Sequence, residues 1–154
     1  MTDRNAVHAI FTIKRQLDAS PARAFAAWSR KEAKARWFVG PDGWERSDYQ
    51  FDFRAGGREH LSGGPPGQPA HVFDAIYFDI VPDQRIVYSY EMHIGERRIS
   101  VSLATIEFKP SGSGTQLALT EQGVFLDGYD DAGSREQGTR QLVEQLAASI
   151  ASNA

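Results

Sequence analysis

The sequence predicts an α+β fold in which a curved antiparallel sheet wraps around one long C-terminal helix. Most of residues 7–122 alternates between apolar and polar side chains, as half-buried strands do. Two short helical segments interrupt this pattern near its start, and one amphipathic helix follows it. Because one helix cannot cover a flat sheet of about six or seven strands, we expect the sheet to curl around it.

The first elements are a strand and two short helices. Apolar residues occupy the odd positions of 7–13, and the same parity continues through Arg15 to Leu17, which predicts a strand with its odd positions facing inward. Ser20 is a suitable N-cap, and Pro21 suits the first position of a helix. Ser29 and Glu32 have the spacing of a capping box, which predicts that a second helix starts there.

Six further strands follow in the middle of the chain. Their alternating patterns are bounded by glycine and proline. They are predicted at residues 49–53, 58–61, 71–81, 85–94, 98–109 and 115–122. The segment SGGPPGQP at 62–69 is too short for a domain linker, and no repeat is visible. We therefore expect a single domain over residues 1–154.

The last helix is predicted from a capping box and an apolar stripe. Ser134 and Gln137 form the box. The stripe follows helical spacing and consists of Leu142, Val143, Leu146, Ala147 and Ile150. The segment 120–139 leads into this helix and is longer than a plain connection needs. Its length favours a lid that covers a site.

Composition excludes several classes of function. The chain has 154 residues, no cysteine and a formal net charge of -3, and its basic residues are scattered, so nucleic-acid binding is not expected. The four histidines have no metal-ligand spacing, which predicts neither a metal site nor a cofactor. No signal peptide or membrane-spanning run is visible. We expect a soluble cytoplasmic protein.

Four motifs carry a family resemblance. In order they are LDASPARAFAAWSRKEAKARWF, FRAGGREH, VPDQRIVYSYEM and GSGTQLALTEQG. Together they resemble the START-like branch that contains the activator of the heat-shock ATPase and its homologues, also called SRPBCC or polyketide cyclase-like. The resemblance covers nearly the whole chain and implies a helix-grip fold. It also implies a cavity for small apolar molecules, while a few members catalyse cyclisation and eukaryotic members act as co-chaperones.

The sequence departs from that family at the start of the last helix. Many relatives have a Gly-Trp pair where this chain has Gly138 and Thr139. We interpret the chain as a member of a subgroup with its own polar lid. The ligands of other branches are therefore a poor guide to the ligand of this chain.

A set of aromatic, charged and flexible side chains is predicted to line a ligand cavity. The members are Arg15, Trp37, Phe38, Phe51, Phe53, Tyr88, Tyr90, Met92, Glu121, Phe125, Tyr129 and Arg135. For each aromatic residue, ordinary core packing is the competing interpretation. Phe125, Leu126 and Tyr129 are expected to enter the mouth of the cavity.

Glu121 is the most informative of these residues. It continues the inward parity of Leu117 and Leu119, so its carboxylate is predicted to face the core. A buried carboxylate needs a cation or several donors, and Arg15 and Arg135 are the candidates. The alternative is that the strand has left the sheet and Glu121 is solvated.

Three functions remain open at this stage. The first is binding of a small hydrophobic or aromatic molecule. The second is a cyclase or isomerase that uses Glu121 or a histidine such as His93 as a base, although His93 lies on the opposite strand face from Tyr88 and Tyr90. The third is a co-chaperone-like interaction module. A homodimer through an exposed strand edge or through the lid is compatible with the sequence, which specifies no interface.

Overall fold

The computed structural model describes residues 4–152. In chain order its elements are β1 (Ala6–Leu17), α1 (Pro21–Ser29), α2 (Lys31–Trp37), β2 (Glu45–Phe51), β3 (Arg58–Gly64), β4 (His71–Val81), β5 (Arg85–Ile94), β6 (Arg97–Ser111), β7 (Gly114–Leu126) and α3 (Ala132–Ser152). The strands form an antiparallel sheet in the order β1-β7-β6-β5-β4-β3-β2. This arrangement confirms the predicted α+β, helix-grip type of fold.

The hydrophobic core lies between the inner face of the sheet and the helices. On β1 the odd positions Ile13 and Leu17 are buried, as their parity predicts. On α3 the buried residues are Thr139, Val143, Leu146 and Ile150, so the predicted stripe is confirmed. Alternation along the strands therefore decides which side chains can reach a site beneath α3.

The predicted N-cap is confirmed for α1 and wrong for α2. The Ser20 side chain accepts a hydrogen bond from the Arg23 backbone N–H, and Pro21 is the first residue of α1. The cap predicted at Ser29 is wrong, because that residue still belongs to α1. An N-cap needs a non-helical backbone, and Arg30 supplies it with φ -99° and ψ 128°.

The turn between β2 and β3 depends on its two glycines. Gly56 has φ +83°, a conformation that residues with a Cβ rarely adopt. At Gly57 a Cβ would lie only 2.1 Å from the Asp52 carbonyl oxygen. The glycine pair in FRAGGREH therefore allows the close approach that places β3 next to β2.

The long segment predicted as a lid is mostly regular structure. β7 continues to Leu126, four residues beyond the predicted end, and Phe125 pairs with Val7 on β1 and Ser100 on β6. Only residues 127–131 connect β7 to α3. Pairing on both sides explains the extension, since each added residue gains ladder hydrogen bonds with both neighbouring strands.

The cap of α3 is Asp131 rather than the predicted Ser134. Asp131 Oδ1 accepts from the Ser134 backbone N–H at 2.8 Å, and Asp131 Oδ2 accepts from the Ser134 hydroxyl at 3.0 Å. A carboxylate at this position also complements the positive end of the helix dipole. Within residues 4–152, none of the helices combines the length and the apolar character that crossing a membrane requires.

Candidate functional site

A deep cleft lies beside α3, between that helix, the end of α2 and the inner face of the sheet. Its volume is about 1380 Å³, and aromatic rings such as Trp37 and Tyr88 form part of its wall. Gly138 and Gln145 border it from α3. Gln145 Nε2 donates to the Trp37 carbonyl at 2.7 Å, which joins the two sides. The cleft is large enough for a small organic ligand.

Five polar residues form a hydrogen-bonded group that we call the open cluster: Glu121, Tyr90, Arg135, Ser100 and Asp130. All of them except Ser100 border the cleft. The Tyr90 hydroxyl donates a short hydrogen bond to Glu121 Oε1. Arg135 Nη1 donates to the Tyr90 oxygen at 3.1 Å. Arg135 Nη2 donates to Ser100 Oγ at 2.8 Å and to Asp130 Oδ2 at 2.9 Å. Tyr90 therefore links the carboxylate to the cation.

Burial decides the protonation behaviour of the open cluster. Glu121 is 4% exposed, and burial raises its pKa above the usual range, although the Tyr90 hydrogen bond and the Arg135 charge oppose this shift. Burial also raises the pKa of Tyr90, which keeps its hydroxyl protonated as a donor. The cluster thus holds a carboxyl group that gains a proton more easily than an exposed glutamate does.

Tyr88 lies next to the open cluster along the sheet. Ala104 pairs with Tyr88 on one side and with Glu121 on the other, so all three share one row of the inner face. Tyr88 borders the cleft, and its hydroxyl has no hydrogen-bond partner within residues 4–152. Burial raises its pKa, so a neutral phenol faces the cleft.

A second buried group, which we call the closed cluster, consists of Lys34, Glu59, Tyr77 and Tyr49. Lys34 Nζ lies 2.6 Å from Glu59 Oε1, and both side chains are about 1% exposed or less. The Tyr77 hydroxyl donates to the same oxygen at 2.5 Å, and the Tyr49 hydroxyl donates to Glu59 Oε2 at 2.9 Å. Both carboxylate oxygens are therefore satisfied by protein donors.

Aromatic rings surround the ammonium group of the closed cluster. The Lys34 Nζ atom lies 4.7 Å from the Phe38 ring centroid and 5.4 Å from that of Phe51. Trp28, Tyr77 and Tyr88 lie between 5.5 and 5.9 Å away. These faces attract the cation, yet burial still lowers the pKa of Lys34 despite the opposing charge of Glu59.

One histidine faces the cleft. His71 borders it near the mouth, and its ring lies 4.4 Å from that of Trp44. Burial lowers the pKa of His71, although the Asp130 charge opposes the shift. The site therefore includes an imidazole that gains a proton less readily than an exposed histidine does. Sequence analysis considered His93 instead, and missed that His71 shares the inward parity of Phe73 and Tyr77.

A smaller pocket lies on the outer face of the sheet. Its volume is about 270 Å³, and His60, Asp74 and Glu91 contribute to its wall. These polar groups already have partners: His60 Nδ1 lies 2.6 Å from Asp74 Oδ1, and Glu91 pairs with Arg98 at 2.6 Å. We therefore place the candidate site in the larger cleft, where the Tyr88 hydroxyl and Glu121 Oε2 have no hydrogen-bond partner in the part of the chain that the structure describes.

Seven of the twelve predicted site residues border the cleft. They are Trp37, Phe38, Tyr88, Tyr90, Met92, Glu121 and Arg135. Glu121 is buried, so the predicted inward direction is confirmed. Of its two candidate partners, Arg135 belongs to the open cluster, whereas Arg15 Nε pairs with Glu144 Oε1 at 3.0 Å on α3.

The other four predicted residues pack elsewhere. Phe51 and Phe53 stack on each other at 5.7 Å, and Phe53 contacts Tyr77 at 5.0 Å, so they belong to the core. Phe125 is buried beneath Arg135, with 5.2 Å between the guanidinium carbon and the ring centroid. Tyr129 stacks on Arg97 at 4.4 Å. These contacts replace the predicted entry of Phe125 and Tyr129 into the cavity mouth.

Sequence analysis missed the closed cluster entirely. Glu59 is two residues before Leu61 on β3, so strand parity places both on the inner face. Lys34 is three residues before Trp37 on α2, which places both on one helix face. These signals were present, but charged residues at such positions are usually solvated, so parity alone did not single them out.

Comparison with known proteins identifies the family. The model of the family described as "Activator of Hsp90 ATPase homolog 1-like protein" matches residues 18–151. The chain belongs to this family. The match agrees with the SRPBCC resemblance of its motifs and with its helix-grip fold. No curated protein matches the chain.

Solved structures of bacterial proteins are similar to this chain over almost its full length. An uncharacterised protein from Rhizobium leguminosarum is 47% identical, with a TM-score of 0.91, and the match covers 97% of this chain and 98% of that one. A Rhizobium loti protein is 49% identical, with a TM-score of 0.88 and coverage of 94% and 99%. A Chromobacterium violaceum protein, 24% identical with a TM-score of 0.76 and coverage of 92% and 96%, shares the fold.

Proposed function

We propose that this chain binds a small hydrophobic or aromatic molecule in the cleft beside α3. The observation that carries the proposal is a cleft of about 1380 Å³ whose wall combines aromatic side chains with residues of the open cluster. Aromatic and aliphatic side chains supply apolar contact area, while a few polar groups fix orientation. Met92 and Leu119 add flexible and branched apolar surface to the same wall.

The state of the polar groups supports binding over a purely structural role. Burying a carboxylate oxygen or a phenol hydroxyl destabilises the fold when no hydrogen-bond partner replaces water. Glu121 and Tyr88 both border the cleft, so a ligand can supply the missing contacts there. A co-chaperone-like interaction with another protein is a weaker candidate for this chain, because such a role would not use the cleft.

Enzymatic proton transfer is a second candidate function. The Glu121 carboxyl has a raised pKa, it faces a cleft, and no arginine contacts it directly within residues 4–152. A carboxyl group whose pKa is raised in a cleft is a candidate general acid or base. An isomerase or cyclase would use it with Tyr90 as proton donor. We rank binding first because the Tyr90 hydroxyl already donates to Glu121 and accepts from Arg135, so it is not free to give a proton to a substrate.

Native mass spectrometry of freshly purified protein, compared with its denatured mass, tests the binding proposal. We expect a reproducible small molecule that is lost on denaturation and can be extracted. Nile red, a neutral apolar dye whose fluorescence rises in apolar surroundings, provides an independent readout of an open cleft. A protein with no bound molecule and no dye uptake would contradict the proposal.

Gly138 offers a way to close the cleft without disturbing the core. It borders the cleft on α3, and a Cβ there meets no heavy atom within 4 Å. We expect Gly138→Leu to reduce dye uptake at least about fivefold, because leucine is a good helix former that fills the space. Gly138→Ala is the matched control, since it supports the helix equally and leaves the cleft open.

A further inference from the structure

The geometry points to a ligand class: we infer that the cleft selects neutral apolar molecules that carry one hydroxyl group, which donates to Glu121 and accepts from Tyr88. This inference rests on the proposed binding function. It specifies that the ligand carries one hydroxyl group and no negative charge.

The acceptor is the second oxygen of Glu121. Oε1 accepts from the Tyr90 hydroxyl, whereas Oε2 accepts from no donor within residues 4–152. Oε2 is also absent from the fully buried atoms that lack partners, so it borders the cleft instead of solid core. A ligand donor placed there would satisfy the last free acceptor of a buried carboxyl group.

The second contact comes from the neighbouring phenol. Tyr88 and Glu121 are separated by one strand in the same row, so their Cα atoms lie about 10 Å apart. Both side chains reach inward from that row and border the cleft. A hydroxyl group between them can donate to Glu121 and accept from Tyr88 at once, which an ether oxygen cannot do.

The charges around the cleft disfavour an anionic ligand. Three arginines and four carboxylates border it, so positive charge is not in excess. Arg135, the arginine nearest to Glu121, lies 2.9 Å from Asp130, which compensates its charge. A ligand carboxylate beside Glu121 would face a like charge, or would hold a proton at a cost.

Isothermal titration calorimetry with three matched probes tests the inference on the unmodified protein. Naphthol carries the hydroxyl, methoxynaphthalene replaces the donor with an ether, and naphthoate carries a negative charge. We expect naphthol to bind about tenfold or more tightly than the ether, because a hydrogen bond to a carboxyl group contributes that much. Naphthoate is expected to bind most weakly of the three.

Two variants assign the effect to the named groups. In Glu121→Gln the amide N–H₂ can face the cleft, so we expect the preference for naphthol over the ether to disappear or reverse. In Tyr88→Phe we expect the binding of naphthol and of the ether to weaken about threefold to tenfold alike, because both probe oxygens can accept from Tyr88, so the preference for naphthol persists. Circular dichroism and urea unfolding show that each variant is folded before titration.

The outcomes separate the ligand class from the binding function. Equal affinity for naphthol and its ether would overturn the hydroxyl inference and leave the binding function supported. Tightest binding of naphthoate would overturn it in favour of an anion site. Binding of Nile red without binding of any naphthalene probe would overturn the inference alone. Failure of the dye as well would contradict both.

Discussion

The closed and open clusters use the same three chemical groups in opposite ways. Each combines a glutamate, a cation and a tyrosine on the inner side of the sheet. In the closed cluster Lys34 contacts Glu59 directly at 2.6 Å, and two tyrosine hydroxyls donate the remaining hydrogen bonds to the carboxylate. In the open cluster Arg135 reaches Glu121 only through the Tyr90 hydroxyl.

The difference separates a structural role from a candidate binding role. A buried pair whose hydrogen bonds are complete has nothing left to offer a ligand, and Lys34 and Glu59 do not border the cleft. The open cluster does border it, and Glu121 Oε2 accepts from no donor among the described residues 4–152. Buried charge alone is therefore a poor indicator of function, whereas an incomplete set of hydrogen bonds beside a cavity is a better one.

The largest effect is expected when the closed cluster loses its cation. Lys34→Met leaves the Glu59 carboxylate buried without a countercharge. We expect the free energy of unfolding to fall by about 3–5 kcal/mol. Urea-induced unfolding followed by tryptophan fluorescence measures this change.

A double variant shows whether the loss comes from the unpaired charge. Lys34→Met combined with Glu59→Gln removes both charges and keeps an acceptor for Tyr49 and Tyr77. We expect it to recover most of the lost stability. If Lys34→Met alone cost less than about 1 kcal/mol, the closed cluster would not be a tightly buried pair, and its contrast with the open cluster would fail.

The tyrosines give a smaller and more direct comparison. Tyr77→Phe removes a donor where no water can replace it, and we expect a loss of about 1.5–3 kcal/mol in the free energy of unfolding. Tyr90→Phe removes a donor at the edge of the cleft, where water can take its place, so we expect about 1 kcal/mol. Urea unfolding of both variants under one set of conditions provides the measurement. A larger loss for Tyr90→Phe would reverse the assignment of which cluster is open.

Much of the fold could be predicted from local patterns. The bounds predicted at 71–81 and 85–94 agree with β4 and β5, because a long apolar run that stops at Pro82 and Asp83 marks the first strand and clean alternation marks the second. The end of β7 could not be predicted in this way. Its last residues include Gly123, and pairing with β1 and β6 overrides the weak local preference for a strand.

The candidate site was predictable only where parity and chemistry coincide. Glu121, Tyr88 and Tyr90 follow inward parity on strands with clear alternation, so their direction could be inferred. The choice between Arg15 and Arg135 could not, because it depends on where α3 crosses the sheet. Lys34 and Glu59 meet across 25 positions of the chain, and no local signal specifies that contact.

The pH dependence of stability is the smallest expected effect and the most specific to the open cluster. The pKa of Glu121 in the folded protein lies above its ordinary value of 4.5. Between these two values the folded chain binds more protons than the unfolded chain does. Stability from this group is therefore greatest below about pH 4.5 and falls as the pH rises through the folded pKa.

Comparison with Glu121→Gln isolates this contribution, because the other titrating groups are shared by both proteins. The quantity to compare is the unfolding free energy of the unmodified protein minus that of the variant. We expect this difference to decrease as the pH is raised from 4 towards neutrality. Urea unfolding at intervals of about half a pH unit measures it. An increase would mean that Arg135 and Tyr90 stabilise the carboxylate more than burial penalises it. Glu121 would then contribute stability as a carboxylate held by the Tyr90 hydrogen bond and the Arg135 charge, as Glu59 is held by its donors, and the contrast in charge compensation between the two clusters would fail.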